Sequence, residues 1–143
     1  MKSICRLAAF LLLLAPALLA QEHYTEGPIW RVQLVRVKPT GMDAYLTSLR
    51  HSTKPLLDEE KRQGMIMDYK IFLKETKSSP EDWDICLAIQ YKNHGAMDGL
   101  DAKGEMVRDK ILGGKQPAQE VMEKRSEIRE LVSSELMQEI MLK

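Results

Sequence analysis

Two short stretches of strict alternation constrain this chain more than any other feature. MIMDYKIFLKET, residues 65–76, places Met65, Met67, Tyr69, Ile71 and Leu73 on one side and Ile66, Asp68, Lys70, Phe72 and Lys74 on the other. WDICLAIQY, residues 83–91, turns Trp83, Ile85, Leu87, Ile89 and Tyr91 one way and Asp84, Cys86, Ala88 and Gln90 the other. Successive side chains of a strand point to opposite faces, so each stretch reads as a strand with one apolar face. The short connector KSSPED between them makes them an antiparallel pair. The opposite face is only half polar. A sheet built from such strands has greasy groups on both surfaces, and its own helices cover only one of them.

WRVQLVRVKP, residues 30–39, supplies another strand: Trp30, Val32 and Leu34 share one face, Val35 and Val37 the other, and Pro39 ends it. The preceding QEHYTEGPI, residues 21–29, is polar, is punctuated by Gly27-Pro28, and reads as a flexible leader. From Gly41 to Gly64, the residues Met42, Tyr45, Leu46, Leu49, Thr53, Leu56, Leu57 and Glu60 recur at steps of three and four. That is the stripe of a half-buried helix, with His51 on its opposite side. Pro55 brings no amide to the carbonyl of His51, so the helix is predicted to kink or divide near Thr53 and Lys54. Met97, Leu100, Val107 and Ile111 define a helix within residues 93–112, made irregular by Gly99 and Gly104. Another opens at Pro117, with Val121, Met122, Arg125, Ile128 and Val132 as its stripe. Arg125 lies along that stripe, its head extended to water or to a carboxylate. After Ser133-Ser134 the tail ELMQEIMLK fits either a last strand, with Leu136, Ile140 and Leu142 on one face, or a continuation of the helix.

The order β-α-β-β-α-β, with two helical pieces in the second crossover, is that of a ferredoxin-like α+β fold with a four-stranded antiparallel sheet. Phe72, Cys86, Ala88 and either Val35 or Val37 must then sit on the face that the helices leave bare. This is more apolar surface than a lone small domain usually exposes, so a homodimer through the sheet face is expected. Two such sheets placed face to face give a dimeric α+β barrel.

Residues 1–20, MKSICRLAAFLLLLAPALLA, have the order of an export signal: Lys2 and Arg6, the unbroken apolar run Leu7–Leu14, then Pro16 and a small residue, Ala20. A retained anchor needs about 20 apolar residues, more than this run holds. Cleavage near Ala20 places the mature chain in the periplasm or outside the cell, with no membrane association. Cys5 leaves with the signal, so the remaining Cys86 has no partner for an internal disulfide. Lys2 and Arg6 leave as well, turning 21 Lys+Arg into 19 against 21 Asp+Glu. That mild acidity argues against a nucleic-acid partner. Residues 30–143 then form one domain, long enough to build a core without staples.

No GxGxxG, Walker, HExxH, CxxC or GxSxG pattern is present, and Gly113-Gly114-Lys115 lacks the upstream glycine of a phosphate loop. His23, His51 and His94 have no metal-ligand spacing. They read as surface histidines, the alternative being a site assembled in space from His51, His94 and Asp84 or Glu60. Cys86, in mid-strand and without a neighbouring histidine, reads as a small buried hydrophobe. Tyr69, Trp83, Tyr91 and Trp30 either rim a pocket between sheet and helices or fill the core and the dimer seam. Asp84 and Asp68, on a strand face covered by a second copy, need partners such as Lys70 or Arg36. The ligand-pocket candidates are therefore Tyr69, Trp83, Tyr91, Trp30, His51 and Asp84. None has an assigned catalytic role, and no cofactor is called for.

Taken together, YTEGPIWRVQLVRVKPTGMDAYLTSLR, KPLLDEEKRQGMIMDYKIFL, SSPEDWDICLAIQYKN and the closing LMQEIMLK resemble a group of small exported bacterial proteins of unassigned function. That group is related in fold to the dimeric α+β barrel superfamily. The resemblance spans nearly all of Tyr24 to Lys143 and implies that the tail is the fourth strand. It also implies a ligand cleft between the sheet and its helices. The superfamily includes monooxygenases of quinol-like aromatics, haem-dependent enzymes, isomerases and proteins without known chemistry, so fold alone names no reaction. Three functions follow. The first is an exported dimer that binds a small apolar or aromatic molecule, or is structural. The second is a cofactor-independent oxygenase or isomerase moving a proton with Tyr69, Asp84 or His51. The third is a haem or metal protein using His51 or His94.

Overall fold

The computed structural model describes residues 23–143. The export signal and the first residues of the leader lie outside the described residues. No helix among those described is long and apolar enough to cross a membrane. The elements are β1 (Tyr24–Val37), α1 (Met42–Ser48), α2 (Lys54–Arg62), β2 (Asp68–Leu73), β3 (Ile85–Tyr91), α3 (Leu100–Leu112), α4 (Lys115–Ile128) and β4 (Arg129–Leu142). A π-helical turn, Leu49–Thr53, joins α1 to α2, and a 3₁₀ turn, His94–Met97, precedes α3. The chain divides into two compact units. One is made of the chain ends, where the Lys143 amide donates to the His23 carbonyl at 3.0 Å. The other, Gly27–Glu139, holds the hydrophobic core.

The strand order is β2-β3-β1-β4. β1 pairs antiparallel with β3 from Ile29↔Tyr91 to Val35↔Ile85, and β2 pairs antiparallel with β3 from Asp68↔Gln90 to Leu73↔Ile85. The ferredoxin-like topology is therefore present, with the tail as a strand. The expected dimeric α+β barrel is not: β2 and β4 are the two edges of an open sheet and do not pair with each other. The four strands of this chain form one open layer whose edge strands stay apart, so the sheet does not close on itself.

Alternation sorts the side chains into layers. Ile29 and Val35 of β1 and Ile85, Ile89 and Tyr91 of β3 are buried beneath Tyr45, Leu49 and Leu57 of the helical layer. Each such side chain contributes roughly 1.5–3 kcal/mol of burial. The intervening residues face the other way, where Trp30, Val32, Phe72, Ala88 and Met137 line a shallow hollow. Phe72 is 48% exposed. The bare face is thus apolar, as the alternation requires, but its β1 contribution differs from expectation. Both Val35 and Val37 pack toward the helices, and Val32 takes the bare face.

The break at Pro55 takes the form of a widened turn. The Lys54 amide donates to the carbonyl of Leu49, five residues back, and α2 begins at Lys54 with Pro55 in its first turn. There the missing amide leaves no helical bond unfilled. Inserting the wide turn rotates Ser52 and Thr53 into the protein, each 6% exposed. Two boundaries also differ from the sequence reading. β4 begins at Arg129, so Val132 belongs to the strand rather than to a helix stripe. β1 begins at Tyr24, so Tyr24–Ile29 is strand rather than leader. Pro28 is tolerated because it lies just outside the β1–β3 ladder, whose first pair is Ile29↔Tyr91.

Candidate functional site

The widened turn and α2 put Thr53, Leu57 and Glu60 on one helical face, at steps of four and three. Between that face, the sheet and α3 lies a cavity of about 270 Å³. Leu57, Ile66, Ile89 and Leu100 give it apolar walls, and Arg31, Thr53, Glu60, Tyr91, Arg108 and Arg125 give it polar groups. Seven residues of helix separate Thr53 from Glu60, so the polar groups of the two ends stand roughly 10 Å apart along α2. Such a mixture of apolar wall and few convergent polar groups is the usual make-up of a small-molecule site.

At one end, the Arg31 guanidinium stands 5.2 Å from the centre of the Tyr91 ring. Burial pushes the Glu60 carboxyl above its ordinary range, and the field of Arg31 only partly offsets this. Burial likewise raises the Tyr91 phenol; Arg31 opposes the rise, while Glu60 and Asp101 add to it. Glu60 therefore keeps a proton more readily than a solvated carboxylate and can donate to a ligand or accept from it. Arg125, from α4, also borders the cavity, but its guanidinium donates to Ser52 Oγ at 2.6 Å and to Ser48 Oγ at 3.2 and 3.3 Å, hydroxyls that line a second hollow beside α4.

Of the six candidates read from the sequence, Tyr91 alone lines this cavity. The Tyr69 hydroxyl donates to Asp58 Oδ1 at 2.7 Å. Trp83 lies under the Lys74 ammonium, 4.6 Å from its ring centre. Trp30 is on the bare sheet face, its indole N–H donating to Glu139 Oε2 at 2.7 Å. His51 is exposed and borders a separate hollow beside α4. Asp84 is buried just before β3. Burial alone would raise its carboxyl, but Lys77 at 2.6 Å and the Val37 amide at 2.8 Å outweigh it and leave the group below the usual range. Its expected partners were Lys70 or Arg36; Lys77 makes the ion pair, and Arg36 acts only through its field. His51 and His94 are both exposed and do not converge with Asp84 or Glu60. Among the described residues no group of three His, Cys, Asp or Glu side chains is placed to hold a metal ion.

Sequence reasoning overlooked Arg31 and Arg125 as site residues, and offered Glu60 only as a carboxylate of an alternative metal site. Glu60 and Arg125 each occupy a position on the apolar stripe of their helix, where a charged group is exceptional.

These observations define the class as a ferredoxin-like α+β domain with an open sheet and a cavity under its helices. Two solved structures to which the chain is similar in fold illustrate this. One is HapK from Hahella chejuensis, 11% identical over 78% of this chain and 91% of that one, with a TM-score of 0.52. The other is a dimeric ferredoxin-like protein from an uncultured marine organism, 13% identical over 82% of this chain and 90% of that one, also with a TM-score of 0.52. At such identities the likeness is one of fold. No protein-family model and no curated protein matches the chain.

Proposed function

We propose that this chain is an exported domain, working in the periplasm or outside the cell, that holds a small, largely apolar molecule in the cavity beneath its helices. The observation that carries the reading is the cavity itself: about 270 Å³, walled by Leu57, Ile66, Ile89 and Leu100, with Glu60 and Tyr91 converging at one end. A purely structural domain gains nothing from a desolvated carboxyl beside an empty space. The same proposal makes the protein a homodimer through its bare sheet face. Trp30, Val32, Phe72 and Met137 on that face are the support, together with the dimeric state stated for the marine relative.

Native mass spectrometry of mature protein from its own cell envelope tests both parts. Twice the chain mass plus a retained small molecule is the expected result. A cavity that takes up no apolar probe in displacement assays would remove the binding function, and a monomer at micromolar concentration would remove the dimer. A second reading, in which the same cavity moves a proton on its ligand, is supported by the raised Glu60 carboxyl. Turnover of the retained molecule that is lost in Glu60→Gln, with affinity kept, would select it.

A further inference from the structure

The interior of α3 holds a glycine, Gly104, that neither its backbone nor its packing requires. Glycine is the poorest helix former after proline. It is needed where φ is positive, as at Gly113 just after α3 (φ 87°), or where neighbours leave no room for a side chain. Gly41 is of the second kind: a Cβ there would stand 3.1 Å from the Lys38 carbonyl oxygen and 3.2 Å from that of Ile128. Gly104 has no positive φ. Beyond its own helix, a Cβ at that position would meet one atom within 4 Å, Glu60 Oε1 at 3.8 Å, an ordinary contact. Gly104 and Glu60 both line the cavity. The space that a side chain at 104 would fill is therefore cavity space beside the Glu60 carboxyl.

A second observation lies at the same end of the cavity. Tyr91 is 3% exposed and lines the cavity, yet among the described residues its hydroxyl makes no hydrogen bond and is not sealed off by packing. The charges of Arg31, Glu60 and Asp101, which all line the cavity, act on that hydroxyl and place it among the cavity's polar groups. A phenol so deeply withdrawn from water normally has a partner. Arg31 and an ionised Glu60 carry opposite charges beside it, so an ion of either sign is drawn by one and repelled by the other. A neutral group gains from the phenol without that conflict, and one that both donates and accepts satisfies Tyr91 and Glu60 together.

We propose that the cavity takes a neutral molecule whose hydrogen-bonding group, a hydroxyl or a carboxamide, meets Tyr91 and Glu60, and that Gly104 sets how large that end of the molecule can be. The proposal rests on the cavity being a binding site. The apolar remainder of the molecule lies along Leu57, Ile66, Ile89 and Leu100. Gly104 acts by what it leaves out. The helix is less stable there than an alanine would make it, and the room that results lies beside the two groups that hold the ligand.

Calorimetric titration of the purified protein with 2-naphthol and with 2-methylnaphthalene, which match in size and differ in the hydroxyl, tests the assignment alongside thermal unfolding. 2-Naphthol is expected to bind roughly fivefold tighter, the scale of one neutral hydrogen bond. Tyr91→Phe should remove that advantage and leave 2-methylnaphthalene unchanged. Gly104→Ala should raise Tm by about 4 °C through helix propensity while weakening both probes roughly two- to threefold. Gly104→Leu should keep Tm at or above that of the wild type and weaken both probes roughly tenfold or more. The alanine variant decides the matter even if the leucine one fails to fold. A lowered Tm in Gly104→Ala would show that the fold itself needs the glycine, and wild-type affinity there would show that the ligand lies elsewhere. Either result overturns the role of Gly104 while leaving the binding site standing. Equal affinity of the wild type for the two probes would overturn the contact with Tyr91, and binding of neither would overturn the site as well.

Discussion

Replacing Arg125 by Met removes a half-buried cation and keeps most of its length and volume. The wild-type guanidinium makes one good contact, 2.6 Å to Ser52 Oγ, and two long ones to Ser48 Oγ. Charge-assisted bonds of this kind are worth about 1.5–3 kcal/mol. Against them stands the cost of partly desolvating a guanidinium that has no carboxylate beside it among the described residues, a fraction of the several kcal/mol that full burial costs. The substitution orphans no donor, because Ser52 Oγ already donates to the Ser48 carbonyl at 2.5 Å. The Met side chain adds apolar burial against Ile128 and its neighbours. The balance predicts a stability between unchanged and about 2 kcal/mol higher. Urea unfolding reads this directly: with a slope near 1–3 kcal/mol/M, the midpoint should stay or rise by up to about 1 M at constant slope. A loss of more than about 2 kcal/mol would show that Arg125 holds α4 against the widened turn.

Phe72→Lys places an ammonium on the bare sheet face at a position 48% exposed in the single chain, so folding should be unaffected while the dimer gives way to monomer; light scattering at micromolar concentration checks it, and an intact dimer would place the interface elsewhere. Glu60→Gln should stabilise the protein at neutral pH. Its carboxyl is raised in the folded state, so the penalty for ionising it grows as pH climbs from the ordinary carboxylate range through the raised value, and is absent at about pH 3; an equal gain at both pH values would contradict this. Asp84→Asn should cost about 1 kcal/mol at neutral pH through loss of the Lys77 ion pair. That carboxyl is lowered on folding, so its contribution is present above the ordinary carboxylate range and is lost as pH falls through the lowered value. Urea midpoints for the variant and the wild type should therefore converge in acid, and a gap that persists there would mean that the ion pair is not its source.

The strands β2 and β3 were legible because alternation is a local property: one residue of slip would send Ile85 and Ile89 to the wrong face, and no other pairing buries them. Pro55 was legible for a similar reason, since the defect it creates concerns only its own turn. Boundaries fared worse. Tyr24–Ile29 looks like a loop by composition and is a strand, because its place is set by neighbouring strands rather than by its own residues. Residue type points to the six site candidates, whereas a cavity is defined by what fails to fill it. Trp30 and Trp83, the most conspicuous side chains, lie outside it, and of the six only Tyr91 lines it.

The sequence by itself determined the order of elements, the apolar character of both sheet faces and the interruption of the first helical stripe, because periodicity and proline chemistry act over a few residues. Only the tertiary structure decided that the sheet stays open, that the interruption widens into a turn burying Ser52 and Thr53, and that Arg125 meets Ser52 with no carboxylate beside it among the described residues. Arg125 and Ser52 are 73 residues apart in the chain. Their meeting depends on how α4 packs across the widened turn, and no local pattern encodes that.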